Sequence, residues 1–172
     1  MTVQHAIAPA GATPVELLVC GSADRGDDGA PIVAAALLQG QLPDGVGLQI
    51  VGGIDVEHLL ELPEGAGFVI VDAATGLPPG VVVDLPASSL RGRRGEPLPR
   101  SSHTIPFSEV IGLAELVRDT PLNGRVVALG GADFGLGSTL SEPVEASIPR
   151  FVSAILEAIE AVRNAGPISP EA

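Results

Sequence analysis

Residues Phe68, Val69, Ile70 and Val71 form an unbroken apolar run. Such a run is expected of a strand covered on both faces, because a half-wet strand would alternate apolar with polar residues. It sits in a chain where short β-branched runs alternate with helical patterns. Residues 15–20 (Val-Glu-Leu-Leu-Val-Cys) read as a first strand, followed by a Gly/Asp-rich turn and a helix near 31–38. Residues 46–51 read as a second strand closed by Gly52-Gly53, after which Val56, Leu59 and Leu60 recur at helical spacing. Residues 81–83 (Val-Val-Val) form a fourth strand candidate, expected at an edge because Pro78 and Pro79 precede it and Pro86 follows. Residues 86–104 read as a long loop, then a helix over 107–117, a strand over 125–129 and a Gly-rich loop over 130–141. The final helix has the clearest pattern, with Val144, Ile148, Phe151, Val152, Ile155, Ile159 and Val162 on one side.

Strand and helix alternating in this way imply a three-layer α/β/α sandwich built on a mostly parallel five-stranded sheet. The 172 residues suit one such domain, expected over 15–164, between a flexible leader (1–14) and a flexible tail (165–172) rich in Ala, Pro and Gly. Only four residues are aromatic, all Phe, so Val, Leu, Ile and Ala must fill the core.

Composition removes several functions. The net charge of −12 opposes binding to nucleic-acid phosphates. All nine basic residues are Arg, so lysine Schiff-base and P-loop chemistry are excluded. One cysteine makes neither an internal disulfide nor a Cys-based zinc site, and Cys20 reads as a small core residue. No secretory signal or membrane-spanning run is evident, which gives the expectation of a soluble cytoplasmic protein.

Open α/β sheets bind ligands at the carboxyl ends of their strands. The first strand ends in Gly21-Ser22-Ala23-Asp24-Arg25-Gly26-Asp27-Asp28-Gly29, where three carboxylates would repel the phosphates of a dinucleotide. Asp27 or Asp28 could cap the following helix, but two adjacent acids need more than one role. The third strand ends in Val71-Asp72-Ala73-Ala74, with Asp72 either a turn residue or a group presented at the ligand edge. His103, in Ser101-Ser102-His103-Thr104, is either a surface histidine or a ligand. Together Asp28, Asp72 and His103 would supply two carboxylates and an imidazole from three strand-end loops, a set suited to Zn²⁺ or Ni²⁺ with open positions. His5 lies in the leader, and Asp55 with His58 reads as a solvated helix face before a metal pair. Ser138 does not sit in a nucleophile elbow, so a hydrolase built on this chain would work through a metal.

These segments resemble those of the hydrogenase maturation endopeptidases, which trim the C-terminal tail of the nickel-iron hydrogenase large subunit. The resemblance is carried by Gly21-Ser22 through Asp27-Asp28-Gly29, by Val51-Gly52-Gly53 and by Val71-Asp72-Ala73. Ser102-His103 with the helix containing Gly112-Leu113, and Leu140-Ser141-Glu142-Pro143, complete it over about residues 15–163. The resemblance implies an endopeptidase that acts after nickel insertion. Asp28, Asp72 and His103 would engage nickel supplied by the precursor, with no permanently bound cofactor, and Asp27 would support them or cap the helix. The implied partner is the large-subunit precursor, and the protein is expected to act as a monomer, without nucleic acid or membrane. Ser22 stands where the family usually has Asn, Pro31 stands near a usual Gly, and residues 130–134 are less apolar than the family's strand end. The Arg91, Arg93 and Arg94 cluster reads as a solvated loop, with an acidic patch on a partner as its functional alternative. Two other readings remain open from sequence: a non-catalytic nickel-sensing assembly factor of the same fold, and a small-molecule metallohydrolase that binds its metal tightly by itself.

Overall fold

The computed structural model describes residues 13–91, 100–101, 105–137 and 139–166. In chain order the elements are β1 (Val15–Cys20), α1 (Ala30–Leu38), β2 (Val46–Gly52), α2 (Val56–Leu60), β3 (Gly67–Thr75), β4 (Val82–Pro86), β5 (Arg100–Ser101), α3 (Phe107–Arg118), β6 (Gly124–Gly130) and α4 (Glu142–Ala165). The main sheet runs β2-β1-β3-β6-β4, parallel except for the antiparallel edge strand β4. The expected five-stranded, mostly parallel sheet is therefore present, with the two-residue β5 added antiparallel to the end of β3.

Strand pleating divides the core. Val15, Leu17 and Val19 of β1 face α1 and α4, where Leu38, Val144, Phe151, Ile155 and Ile159 are buried. Leu18 and Cys20 face the other way with Phe68 and Ile70, beneath Leu59 of α2 and Val110, Ile111 and Ala114 of α3. Helices thus cover both faces, which is why β1, Glu16 apart, and most of β3 are apolar. Among the described residues, no helix is long and apolar enough to cross a membrane.

Missing side chains on neighbouring strands make room for large ones. Phe68 is fully buried and pairs in register with Gly124, where an added Cβ would lie 2.3 Å from the ring's Cε1 and Cζ. Glu16 pairs with Gly47, and its carboxylate occupies the space of the absent Cβ. That carboxylate accepts a 3.3 Å hydrogen bond from Gln49 Nε2.

The topology creates one switch point. From β1 the chain passes to β2 on one side, then returns across β1 to β3 on the other. That point lies between β1 and β3, and open α/β sheets bind ligands in the crevice outside the carboxyl ends of the strands at such a point.

Three expectations change. β3 does not stop before Asp72 but continues to Thr75, because β6 pairs with it through Ala74 and β5 adds at Ala74 and Thr75. The segment expected as one loop over 86–104 contains a 3-10 turn (Ala87–Leu90) whose Ala87 and Leu90 are buried, as well as β5. Pro14, assigned to the leader, already joins the domain: its carbonyl accepts a 2.8 Å hydrogen bond from Gly67 N. The rest of that leader through residue 12, and the tail from residue 167, lie outside the described residues.

Candidate functional site

The loop after β1 is built by its own backbone. Gly21 N donates to Gly52 O at 2.7 Å, tying the ends of β1 and β2 together. Ser22 N then donates to Asp28 O at 3.2 Å, folding the loop back onto its start. Gly21 has φ +114°, and a Cβ there would lie 2.1 Å from Asp28 O, so both backbone angle and space require glycine. The closure places the 3-10 turn Gly26–Gly29 against the sheet, with Asp27 and Asp28 both buried.

Asp72 reaches the same edge from β3. The β1–β3 ladder ends at the Val19–Val71 pair, so Asp72 is the first β3 residue beyond it, beside Cys20. It has the pleat parity of Phe68 and Ile70, on the α2/α3 face, and is fully buried. Cys20 registers both acids electrostatically. Burial pushes its thiol pKa far up, the charge of Asp72 and then that of Asp28 push it further, and the Ile54 backbone N–H opposes them. Cys20 thus feels the charge of both acids and is a buried, inert thiol, the small core residue expected of it.

Asp27 caps no helix; the N-cap residue of α1 is Gly29, and no side chain caps that end. Its carboxylate instead points at the Gly-rich loop after β6. Oδ2 accepts from Ala132 N at 2.7 Å, Asp133 N at 2.9 Å and Ser141 Oγ at 2.8 Å, while Oδ1 accepts from Ser141 N at 2.7 Å. Burial alone would raise the Asp27 pKa, but these hydrogen bonds outweigh it and hold the carboxyl below its ordinary value. Ser141 is the N-cap residue of α4, yet its hydroxyl serves Asp27 rather than the helix. The adjacent acids thus differ: the Asp27 carboxylate holds the loop after β6, and Asp28 is buried in the turn beside it. Nothing local in the sequence marks Ser141 as a partner of Asp27.

Other sequence candidates find structural roles or fall outside the described residues. His103, Ser138, Arg93, Arg94 and His5 belong to the latter group. Asp55 and His58 form a reciprocal capping box at the start of α2: Asp55 Oδ1 accepts from His58 N at 3.3 Å, and His58 Nδ1 accepts from Asp55 N at 3.1 Å. Arg91 pairs within the chain: its Nε donates to Glu115 Oε2 at 2.9 Å, and Glu115 Oε1 also accepts from Leu122 N. Among the described residues no group of three or more His, Cys, Asp or Glu is arranged to hold a metal.

A doubly wound α/β domain with two buried carboxylates at its switch point is thus the architecture in hand. No family model and no curated protein matches the chain. Solved structures do match. The NiFe hydrogenase maturation protease HybD from Thermococcus kodakarensis superposes with a TM-score of 0.65 at 22% identity, over 88% of this chain and 99% of that one. The hydrogenase maturating endopeptidase HybD from E. coli gives a TM-score of 0.66 at 18% identity, over 87% of this chain and 93% of that one. A hydrogenase 2 maturation peptidase from a Thaumarchaeota archaeon gives 0.59 at 22% identity, over 86% and 98%. The chain has the fold of the hydrogenase maturation proteases, as the sequence resemblance implied.

Proposed function

We propose that the protein is an endopeptidase that removes the C-terminal tail of a nickel-iron hydrogenase large-subunit precursor after nickel insertion. It would act in the cytoplasm, as a monomer. The observation that carries this reading is that buried Asp28, in the turn after β1, and buried Asp72, on the neighbouring β3, lie toward the carboxyl ends of adjacent strands in a maturation-protease fold. Two buried carboxylates concentrate negative potential at that edge and favour a cation there.

In this reading nickel arrives as part of the substrate. Asp28, Asp72 and His103 provide the oxygen and imidazole donors that suit a borderline divalent ion. Nickel so engaged orients the precursor's tail and, as a Lewis acid, polarises the scissile carbonyl or a water. Cleavage then waits on metal insertion, and the enzyme needs no cofactor of its own.

The test is mass spectrometry of purified nickel-loaded precursor incubated with the protein. Nickel-free precursor and the Asp28→Ala, Asp72→Ala and His103→Ala variants run in parallel. Loss of one C-terminal peptide only with nickel and all three side chains is the expected result. Binding without a mass change would convert the reading to a non-catalytic assembly factor, and cutting that ignores nickel would end the proposed mechanism.

A further inference from the structure

The Gly-rich loop over 131–141 carries two large apolar side chains before Leu140, and the fold treats them oppositely. The Phe134 ring folds back over Gly131, where an added Cβ would lie 2.5 Å from its Cζ. Leu136 stands out with 94% of its surface exposed, the most of any large apolar residue described. Isolated exposed leucines are ordinary on protein surfaces. This one differs in the backbone that holds it. Gly135 N donates to Asp133 Oδ1 at 2.8 Å and Gly137 N to Asp24 O at 2.9 Å, while Gly26 N donates to Gly137 O. Both flanks of Leu136 are thereby fixed, one of them directly to the loop that bears Asp28. The Asp27 carboxylate ties down Ala132 and Asp133 at one end of the loop and Ser141 at the other.

A loop fixed at this cost in chain entropy, with an apolar side chain left in water next to the loop that bears Asp28, is preorganised for a contact it has not yet made. We infer that Leu136 is a specificity-determining contact that docks into an apolar hollow on the protein substrate, and that Asp27 is the positioning residue that holds it in register with Asp28. The inference rests on the peptidase reading and deepens it. Asp27 touches no reacting atom. Replacing it by Asn leaves one oxygen for four donors and turns an amide NH₂ toward at least one of them, so the loop loosens while the side-chain volume is kept.

The experiment compares wild type, Leu136→Ser, Asp27→Asn and the double variant on nickel-loaded precursor. It measures KM and kcat for tail removal and, separately, Kd for the precursor. Burial of a whole leucine side chain corresponds to at least about tenfold in affinity. Leu136→Ser is expected to raise KM and Kd by about that factor with kcat within about twofold. Asp27→Asn should raise both several-fold and expose the amides of Ala132, Asp133 and Ser141 to hydrogen exchange. In its background Leu136→Ser should then cost clearly less than in wild type, a coupling that a loss of stability alone would not produce. Wild-type KM and Kd in Leu136→Ser, or effects that simply multiply in the double variant, would overturn the inference while wild-type cleavage kept the peptidase reading. A wild type that neither cuts nor binds the precursor would overturn both.

Discussion

Gly124→Ala should destabilise this protein even though its backbone welcomes alanine. Gly124 opens β6 at an ordinary negative φ, where replacing glycine normally gains about 0.4–1 kcal/mol by restricting the unfolded chain. Here the new Cβ would lie 2.3 Å from Cε1 and Cζ of Phe68 and 2.6 Å from Cδ1, against the roughly 3.5–4 Å of relaxed carbon contacts. Something must move by more than 1 Å, and Phe68 cannot yield freely because it is fully buried among Leu18, Ile70 and Ile111. Overpacking of a tight core costs about 1–3 kcal/mol, so the net loss should be about 1–2 kcal/mol, or roughly 2–8 °C in Tm for a domain of this size. Urea denaturation with unchanged m-values reads it directly. Gly112→Ala is the control: its Cβ meets nothing within 4 Å on an exposed stretch of α3, so it should stabilise by about 0.5–1 kcal/mol. Phe68→Leu shortens the ring side chain and should relieve most of the clash, making the Gly124→Ala/Phe68→Leu pair less costly than the sum of its singles by about 1 kcal/mol. Additive singles, or a Gly124→Ala protein as stable as wild type, would refute the idea that the ring rests on the glycine.

Arg118→Ala should cost about 1–3 kcal/mol in a thermal melt, because its Nη1 donates to the carbonyls of Leu59, Leu60 and Leu62 at 3.3, 3.0 and 2.9 Å and so closes the end of α2. Cys20 should resist iodoacetamide in the folded protein and react promptly in denaturant, since burial and the charges of Asp72 and Asp28 all oppose its thiolate; rapid labelling under native conditions would contradict that setting. Asp27, whose folded-state pKa is depressed, contributes stability that is complete above the ordinary carboxylate value of about 3.9 and is lost as pH falls through the folded one. Urea midpoints taken from pH 7 down to pH 3 should therefore fall more steeply for wild type than for Asp27→Asn, and parallel slopes would show that the carboxylate is not clamped.

The elements were legible where a local pattern carried them. The six residues of β1 and the apolar stripe of α4 coincide with the sequence reading because burial on both faces, or on one helix side, writes itself into consecutive residues. The extension of β3 through Asp72 to Thr75 was not legible, since it depends on partners supplied by β5 and β6. β5 itself, Arg100 and Ser101, carries no apolar signal and exists only as the neighbour of β3. At the site, Asp28 could be placed in the loop after β1 and Asp72 toward the carboxyl end of β3 from sequence, but the separate task of Asp27 could not. Its hydrogen-bond partners lie 105 to 114 residues away. Asp55 and His58 show the converse: a spacing of three that suits a metal pair also suits a capping box, and the backbone N–H groups at the start of α2 decide between them.

That long reach has a consequence for timing during synthesis. Asp27 leaves the ribosome 114 residues before Ser141, an interval of roughly 6–23 s at typical elongation rates. Through that interval the acidic dipeptide exists without the loop that fixes it, and β3 lacks the neighbour that extends it past Asp72. The crevice is therefore assembled last, when α4 docks, and a nascent chain carries its acidic side chains for seconds before they are held in a working arrangement.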